Sequence, residues 1–204
     1  MSAFEPVVLA SRHVRLEPLA AEHVPGLVAA ASEDRTTFNW TSVPEDEAAF
    51  RWNVDFAARE LAAGRRVAFA TVSIAEKRPV GSTSFLDPQC WPGNDDEDAI
   101  DSIEIGATWL AASAQRTAVN TEAKLLMLAH AFDVYRVHRV VLNTDARNDR
   151  SRAAIERIGA TFEGVLHSFR YGVEGTPRDT ATFAIAARDW PEVRARLEAR
   201  VTPA

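Results

Sequence analysis

The sequence predicts a mixed α/β (α+β) fold, with one mostly antiparallel sheet flanked by helices. Two observations carry this. Runs with strand-like alternation and runs with helical spacing take turns along the chain, and the longest helical segment, residues 117–134, lies between two β-rich runs. At 204 residues the chain fits one domain, residues 1–204, with a substantial core, and no repeat or linker interrupts it.

In order, residues 12–19 alternate Val14 and Leu16 with polar neighbours as a half-buried strand, and residues 22–32 read as a short helix. Pro44-Glu45-Asp46-Glu47 is an acidic helix start. Phe50, Val54, Ala57, Ala58 and Leu61 recur at helical spacing before Gly64 ends the helix. Residues 66–74 and 79–86 read as an antiparallel hairpin joined by residues 75–78. Residues 87–101, with Pro88, Pro92, Gly93 and the acidic cluster Asp95-Asp96-Glu97-Asp98, form an exposed loop before a strand at 102–110. Leu125, Leu128 and Phe132 line one stripe of the long helix. A strand at 137–144, a helix at 148–158 ended by Gly159, strands at 161–171 and 179–187, and a helix opened by Asp189-Trp190-Pro191 complete the chain.

Composition narrows the function. Apolar residues are 47% and charged residues 25%, as in globular proteins. The start has no basic flank before an apolar run, and nowhere do eighteen uncharged apolar residues follow one another, so neither export nor membrane spanning is expected. Cys90 is the only cysteine, and a reduced, cytoplasmic setting follows as the simplest expectation. A net charge of −6 argues against nucleic acid as partner. The five histidines are scattered outside any metal-ligand pattern, so no metal is expected. Gly64-Arg65-Arg66 is no phosphate loop, and no Gly-x-Gly-x-x-Gly occurs.

The chemical signal lies in Ile103-Glu104-Ile105-Gly106-Ala107-Thr108-Trp109-Leu110, followed by Gln115-Arg116-Thr117-Ala118-Val119-Asn120-Thr121-Glu122-Ala123-Lys124. Further on come Arg139 to Arg152, with Asn148 and Ser151, then Ile158-Gly159-Ala160, Glu163-Gly164 and Trp190-Pro191. Across nearly the whole chain this wording resembles the GNAT acyl-CoA acyltransferases, in particular their RimJ/RimL-like branch. Ala118 and Asn120 stand where that family commonly has glycines.

The resemblance implies the GNAT fold and acetyl-CoA, or another acyl-CoA, as co-substrate. Backbone N–H groups of Gln115 to Thr121 would wrap the CoA pyrophosphate at a helix N-terminus, where the unpaired donors and the dipole favour an anion. Backbone groups of Ile105, Gly106, Ala107, Thr108, Trp109 and Leu110 would bind the thioester carbonyl and stabilise its developing charge. Asn148 would meet the pantetheine arm or simply cap its helix; both roles can coexist. Arg152, with Arg116, Lys124, Arg147 and Arg150, would supply a local basic group for the phosphates or serve only as solvated helix charges.

Two residues are candidates for chemistry. Alternation sets Glu104 on the strand face opposite Ile103, Ile105 and Trp109, either as a surface carboxylate or, as the family often has it, as a general base acting through water with a pKa raised by half-burial. By the same resemblance Ser151 would approach the thioester sulfur. The more usual donor there is a tyrosine, and Ile155 occupies its place. Phe38, Trp40, Phe85 and Trp109 would wall the acceptor pocket or pack the core, while Tyr171, Arg170 and Asp179 flank the last hairpin. No activated Cys or Ser–His pair suggests an acyl-enzyme, so the expected reaction is N-acyl transfer to a primary amine, of a protein N-terminus or a small molecule, in a ternary complex. A homodimer fits the resemblance. The competing reading is a catalytically silent CoA-binding or protein-interaction module of the same fold.

Overall fold

The computed structural model describes residues 4–96 and 98–201. Its frame is one eight-stranded sheet with strand order β1-β2-β3-β4-β5-β6-β8-β7. The strands are β1 (Leu9–Ala10), β2 (Val14–Pro18), β3 (Arg66–Ser73), β4 (Arg78–Gln89), β5 (Ser102–Leu110), β6 (Arg139–Asp145), β7 (Thr161–Tyr171) and β8 (Pro177–Ala186). The helices are α1 (Val24–Ser32), α2 (Glu47–Ala62), α3 (Ala118–Ala129), α4 (Asp149–Arg157) and α5 (Trp190–Val201). Every neighbouring pair is antiparallel except β5 and β6.

The expected elements are present, and the departures have local causes. The two-residue β1 is too short to show a period. β4 runs to Gln89, past the expected end at residue 86, because the irregular pairing between Leu86 and Gln89 admits Pro88. The long helix is α3 as far as Ala129 and then a π-helical turn, His130–Val134. Asp46 starts α2 as its N-cap by accepting the N–H of Ala49 at 2.8 Å.

Aromatic contacts fix what covers each face of the sheet. Trp109 of β5 packs on Phe38, which follows α1, and on Phe50 of α2. Phe85 of β4 packs on His130 and Tyr135, beyond α3. α1 and α2 therefore cover one face and α3 the other. Phe132 stacks on Trp190, holding α5 beside α3. β7 is the far edge of the sheet and mostly exposed.

A bulge interrupts the pairing of β4 with β5. Ser84 lies opposite Gly106 and Ser82 opposite Trp109, so only Thr83 on β4 faces Ala107 and Thr108 on β5. Ala107 takes up the extra residue with φ 48°, a left-handed conformation unfavourable for a residue with a Cβ. Beside the bulge the strands come close: a Cβ on Gly81 would run into the Trp109 carbonyl oxygen and lie 2.8 Å from Leu110 Cδ2. We expect Gly81→Ala to cost about 1–3 kcal/mol through overpacking, read as a lowered midpoint in thermal or denaturant unfolding.

Candidate active site

The parallel pair builds the site. β5 and β6 pair only over Ser102↔Arg139, Ile103↔Val140 and Glu104↔Val141, although β5 continues to Leu110 and β6 to Asp145. Past Glu104 they part into a wedge. Because the two strands run in the same direction, the helices that follow them, α3 and α4, both begin at its mouth, the usual ligand position beside parallel strands. Thr117 caps α3 by accepting the N–H of Val119 at 3.3 Å, and the N–H groups of Ala118 and Asn120 remain as first-turn donors. Asn148, 7% exposed, caps α4 by accepting the N–H of Ser151 at 3.0 Å.

Across the mouth, Gln115 Nε2 donates to Leu110 O at 2.9 Å and to Thr37 Oγ1 at 3.1 Å, and Arg150 donates to Gln115 Oε1 and to Thr37 O. The segment between α1 and α2 is thus tied over the wedge. A second tie is Trp40, whose ring lies 3.9 Å from the Arg147 guanidinium carbon. Arg147 also pairs with Asp145 at 2.8 Å and Glu174 at 3.0 Å. The Arg147 hydrogen bond, ahead of burial and helped by the charge of Arg178, holds the Asp145 carboxyl below its ordinary range.

Glu104 lies inside the sheet at 6% exposure. Arg170, reaching in from β7, donates to Oε2 at 2.7 Å and to Oε1 at 3.2 Å, and Asn143 Nδ2 donates to Oε2 at 2.8 Å. A Cβ at position 106 would stand 2.7 Å from Glu104 Oε1, so Gly106 leaves room for the carboxylate. Pairing with Ser84 and Leu86 puts Gly106 and Glu104 on the α2 side of the sheet. On the same face, Asn143 Oδ1, Thr180 Oγ1 and Thr182 Oγ1 are buried without a protein partner.

With this geometry the comparisons agree. The model of the acetyltransferase (GNAT) domain matches residues 13–161. This chain belongs to the GNAT acetyltransferase family. A GCN5-related N-acetyltransferase from Brucella melitensis is 29% identical and superposes with a TM-score of 0.84, covering 98% of this chain and 87% of that one. RimJ of Mycobacterium smegmatis, solved in complex with CoA-disulfide, is 21% identical and shares the fold at a TM-score of 0.80, covering 97% of this chain and 96% of that one. Bacillus subtilis YdaF, named provisionally as a ribosomal N-acetyltransferase, is 31% identical over 87 residues, which are 43% of this chain. The match spans about half that curated relative, 46% of its length.

Within this GNAT frame several expected residues take other places. Trp109 shares a face with Glu104 instead of opposing it, because the extra residue at Ala107 reverses the alternation. Phe85 does not wall an acceptor pocket. It is fully buried on the α3 side, since it pairs with Ile105. Tyr171 is 76% exposed at the hairpin, and its neighbour Arg170 is the one that reaches Glu104. Glu104 is buried with both oxygens bonded, not half-buried.

The basic group divides. Lys124 faces the sheet and not the phosphates: 5% exposed, it donates to Thr108 Oγ1 at 2.7 Å and Thr83 Oγ1 at 3.1 Å, and burial lowers its pKa to about 7. Arg152 turns back to Ala146 O at 3.2 Å and over Phe162, whereas Arg116, with φ 60°, immediately precedes the cap of α3. Ser151 is half-buried in the first turn of α4 and Ile155 is buried in the core. Asn143 and Thr83 join the site from outside the expected residues. The polar break after Val140-Val141-Leu142 was the available signal for Asn143. Asp95, Asp96 and Asp98 lie in the exposed loop before β5, and Glu97 lies outside the described residues. Among the described residues no cluster of His, Cys, Asp or Glu is placed to hold a metal, and no helix is long and apolar enough to cross a membrane.

Two measurements test these placements. Asn148→Ala should lose about 1 kcal/mol of stability through the lost cap, seen in thermal melts, and a weakened CoA dissociation constant beyond that loss would mark ligand contact. For Lys124 the folded pKa of about 7 lies below the ordinary 10.5, so between these values the unfolded chain binds more protons. The stability that this site contributes is therefore complete above 10.5, is lost as pH falls towards 7, and is flat below. Lys124→Met should flatten the rise of Tm between pH 7 and 10.

Proposed function

We propose that this GNAT chain is an acyl-CoA-dependent N-acyltransferase, acetyl-CoA its natural donor, acting on a primary amine of a protein N-terminus or a small molecule, in the manner of the RimJ/RimL-like branch. The observation that carries the reading is the wedge between β5 and β6, with the N-termini of α3 and α4 at its mouth and the polar Glu104 face along one side.

In this reading the CoA diphosphate meets the first-turn N–H groups of α3, and the pantetheine runs along the unpaired edge of residues 105–110. The thioester carbonyl accepts from backbone N–H groups beside the bulge, which are fixed in place before the reaction begins. The acceptor approaches from the α2 side, between Trp40 and the row Asn143, Thr180 and Thr182, whose unpartnered oxygens suit a polar molecule. The amine yields its proton to Glu104 directly or through water and attacks the carbonyl carbon. The intermediate then collapses to amide and CoA. The protein acts as a single domain, and its setting is cytoplasmic.

The deciding experiment is thiol release from acetyl-CoA in the presence of pooled amines. Release that depends on an amine supports transfer. CoA binding without release would show a silent module. With an active amine in hand, Glu104→Gln should lower kcat on the order of 10²-fold and flatten the rising limb of the pH–rate profile, while the CoA dissociation constant stays near its original value. An unchanged profile removes Glu104 as the base.

A further inference from the structure

We propose that Lys124 supplies a proton, through the hydroxyl of Thr108, to the sulfur of CoA as it departs as a thiolate. The inference rests on the reading that acyl-CoA occupies the wedge. It addresses a gap in that reading: the position where the family usually has a tyrosine holds Ile155, buried in the core and without a proton to give.

Three observations carry it. First, Lys124 is a buried amine, and among the described residues no carboxylate pairs with it. A buried lysine costs stability unless it is neutral or employed, and solubility cannot explain a side chain sealed under a sheet. Second, among the described residues its only hydrogen-bond partners are two hydroxyls that also bond each other, Thr83 Oγ1 and Thr108 Oγ1 at 2.8 Å. The neutral amine has two hydrogens, one for each hydroxyl. A third ammonium hydrogen has no acceptor among the described residues, so the charged form is the strained one. Third, Thr108 is not buried as Lys124 is. It follows the exposed Ala107 on the bulge, at the parted edge of β5, and is half-exposed there. With the thioester placed along that parted edge, the hydroxyl bonded to the buried amine is a one-step path between the two.

The surroundings leave the amine's proton affinity to its burial. Beside it are Thr83 from β4, Thr108 from β5, and the Met127 thioether from α3, 3.6 Å from Thr83 Oγ1. Glu122, the nearest carboxylate on α3, is engaged by Ser11 and His13. Glu104 lies on the opposite face of the sheet, bound by Arg170. His130, itself desolvated, lies against Phe85 and Tyr135. A lysine titrating near neutrality matches the donor to its working pH, which an unperturbed serine such as Ser151 does not.

The step balances. As the C–S bond of the tetrahedral intermediate breaks, its electron pair passes to sulfur. The Thr108 hydroxyl proton moves to sulfur, a proton of the Lys124 ammonium moves to Thr108 Oγ1, and Lys124 is left neutral. The proton released by the acceptor ammonium, passing through solvent, restores it. Lys124 acts through Thr108 and is a positioning residue in that sense, while Thr108 meets the sulfur.

The test needs no acceptor. CoA is bound to the protein, and its thiol is titrated by the ultraviolet absorbance of the thiolate, with desulfo-CoA affinity and Tm measured for each variant. In the wild-type protein the bound thiol should ionise at least tenfold more readily than in Lys124→Met or Thr108→Val, and Thr108→Ser should restore the wild-type titration. Desulfo-CoA should bind all of them alike. Equal thiol titrations in wild type and variants overturn the proposal, as does an effect of Lys124→Met that Thr108→Val lacks. If Lys124→Met does not fold, the Thr108→Val and Thr108→Ser pair decides alone. Failure of the wild-type protein to bind CoA overturns the acyltransferase reading together with this one, whereas binding with unshifted thiol titration overturns this one only.

Discussion

One extra residue in β5 is the constraint on which the site depends. A strand paired on both sides has no backbone group to offer a ligand, because every N–H and C=O is committed to a neighbour. Ala107 breaks that commitment. Its left-handed backbone moves β5 out of step with β4, and on the other side the pairing with β6 is already over at Glu104. The conformation is unfavourable for alanine, and it is held by the well-paired residues before and after it. An interior edge results, with a helix N-terminus on either hand.

The bulge also sorts the chemistry by face. On the α2 side stand a carboxylate held by a guanidinium and an amide, and a row of threonine and asparagine oxygens. On the α3 side stand Phe85, Ile105 and a lysine whose burial disfavours its charge. Arg170 offsets the cost of burying Glu104, and its removal would leave that charge uncompensated. Among the described residues no carboxylate does the same for Lys124.

The sequence revealed the fold better than the site. Strand and helix periods report which residues face the core, and on that ground β5, α4 and β7 are legible within a residue or so. Alternation counts residues on the assumption of a regular pleat, so an extra residue is invisible to it. Alternation therefore fails for Trp109, beyond the extra residue, and holds for Ile103 and Ile105, before it. Likewise, a lysine on an exposed helix and one beneath a sheet are the same letter, so the sequence alone does not separate Lys124 from the arginines at the helix ends. Arg170 stands beside the last hairpin in the sequence, but its partner lies 66 positions away, beyond any local pattern.

At the far edge of the sheet, β7 carries Phe162, Val165, Leu166 and Phe169 exposed along a strand with no outer neighbour among the described residues. A long apolar edge of that kind invites another chain to add to it, edge to edge, as in fibrils. Its pairing with β8 is broken between Leu166 and Arg170, where Ser168 turns left-handed and the Asp179 carboxylate accepts its N–H at 3.0 Å and bonds His167 at 2.9 Å. An incoming strand would meet a kinked template flanked by charge. The irregularity next to the arginine that reaches Glu104 thus also guards the molecule against aggregation.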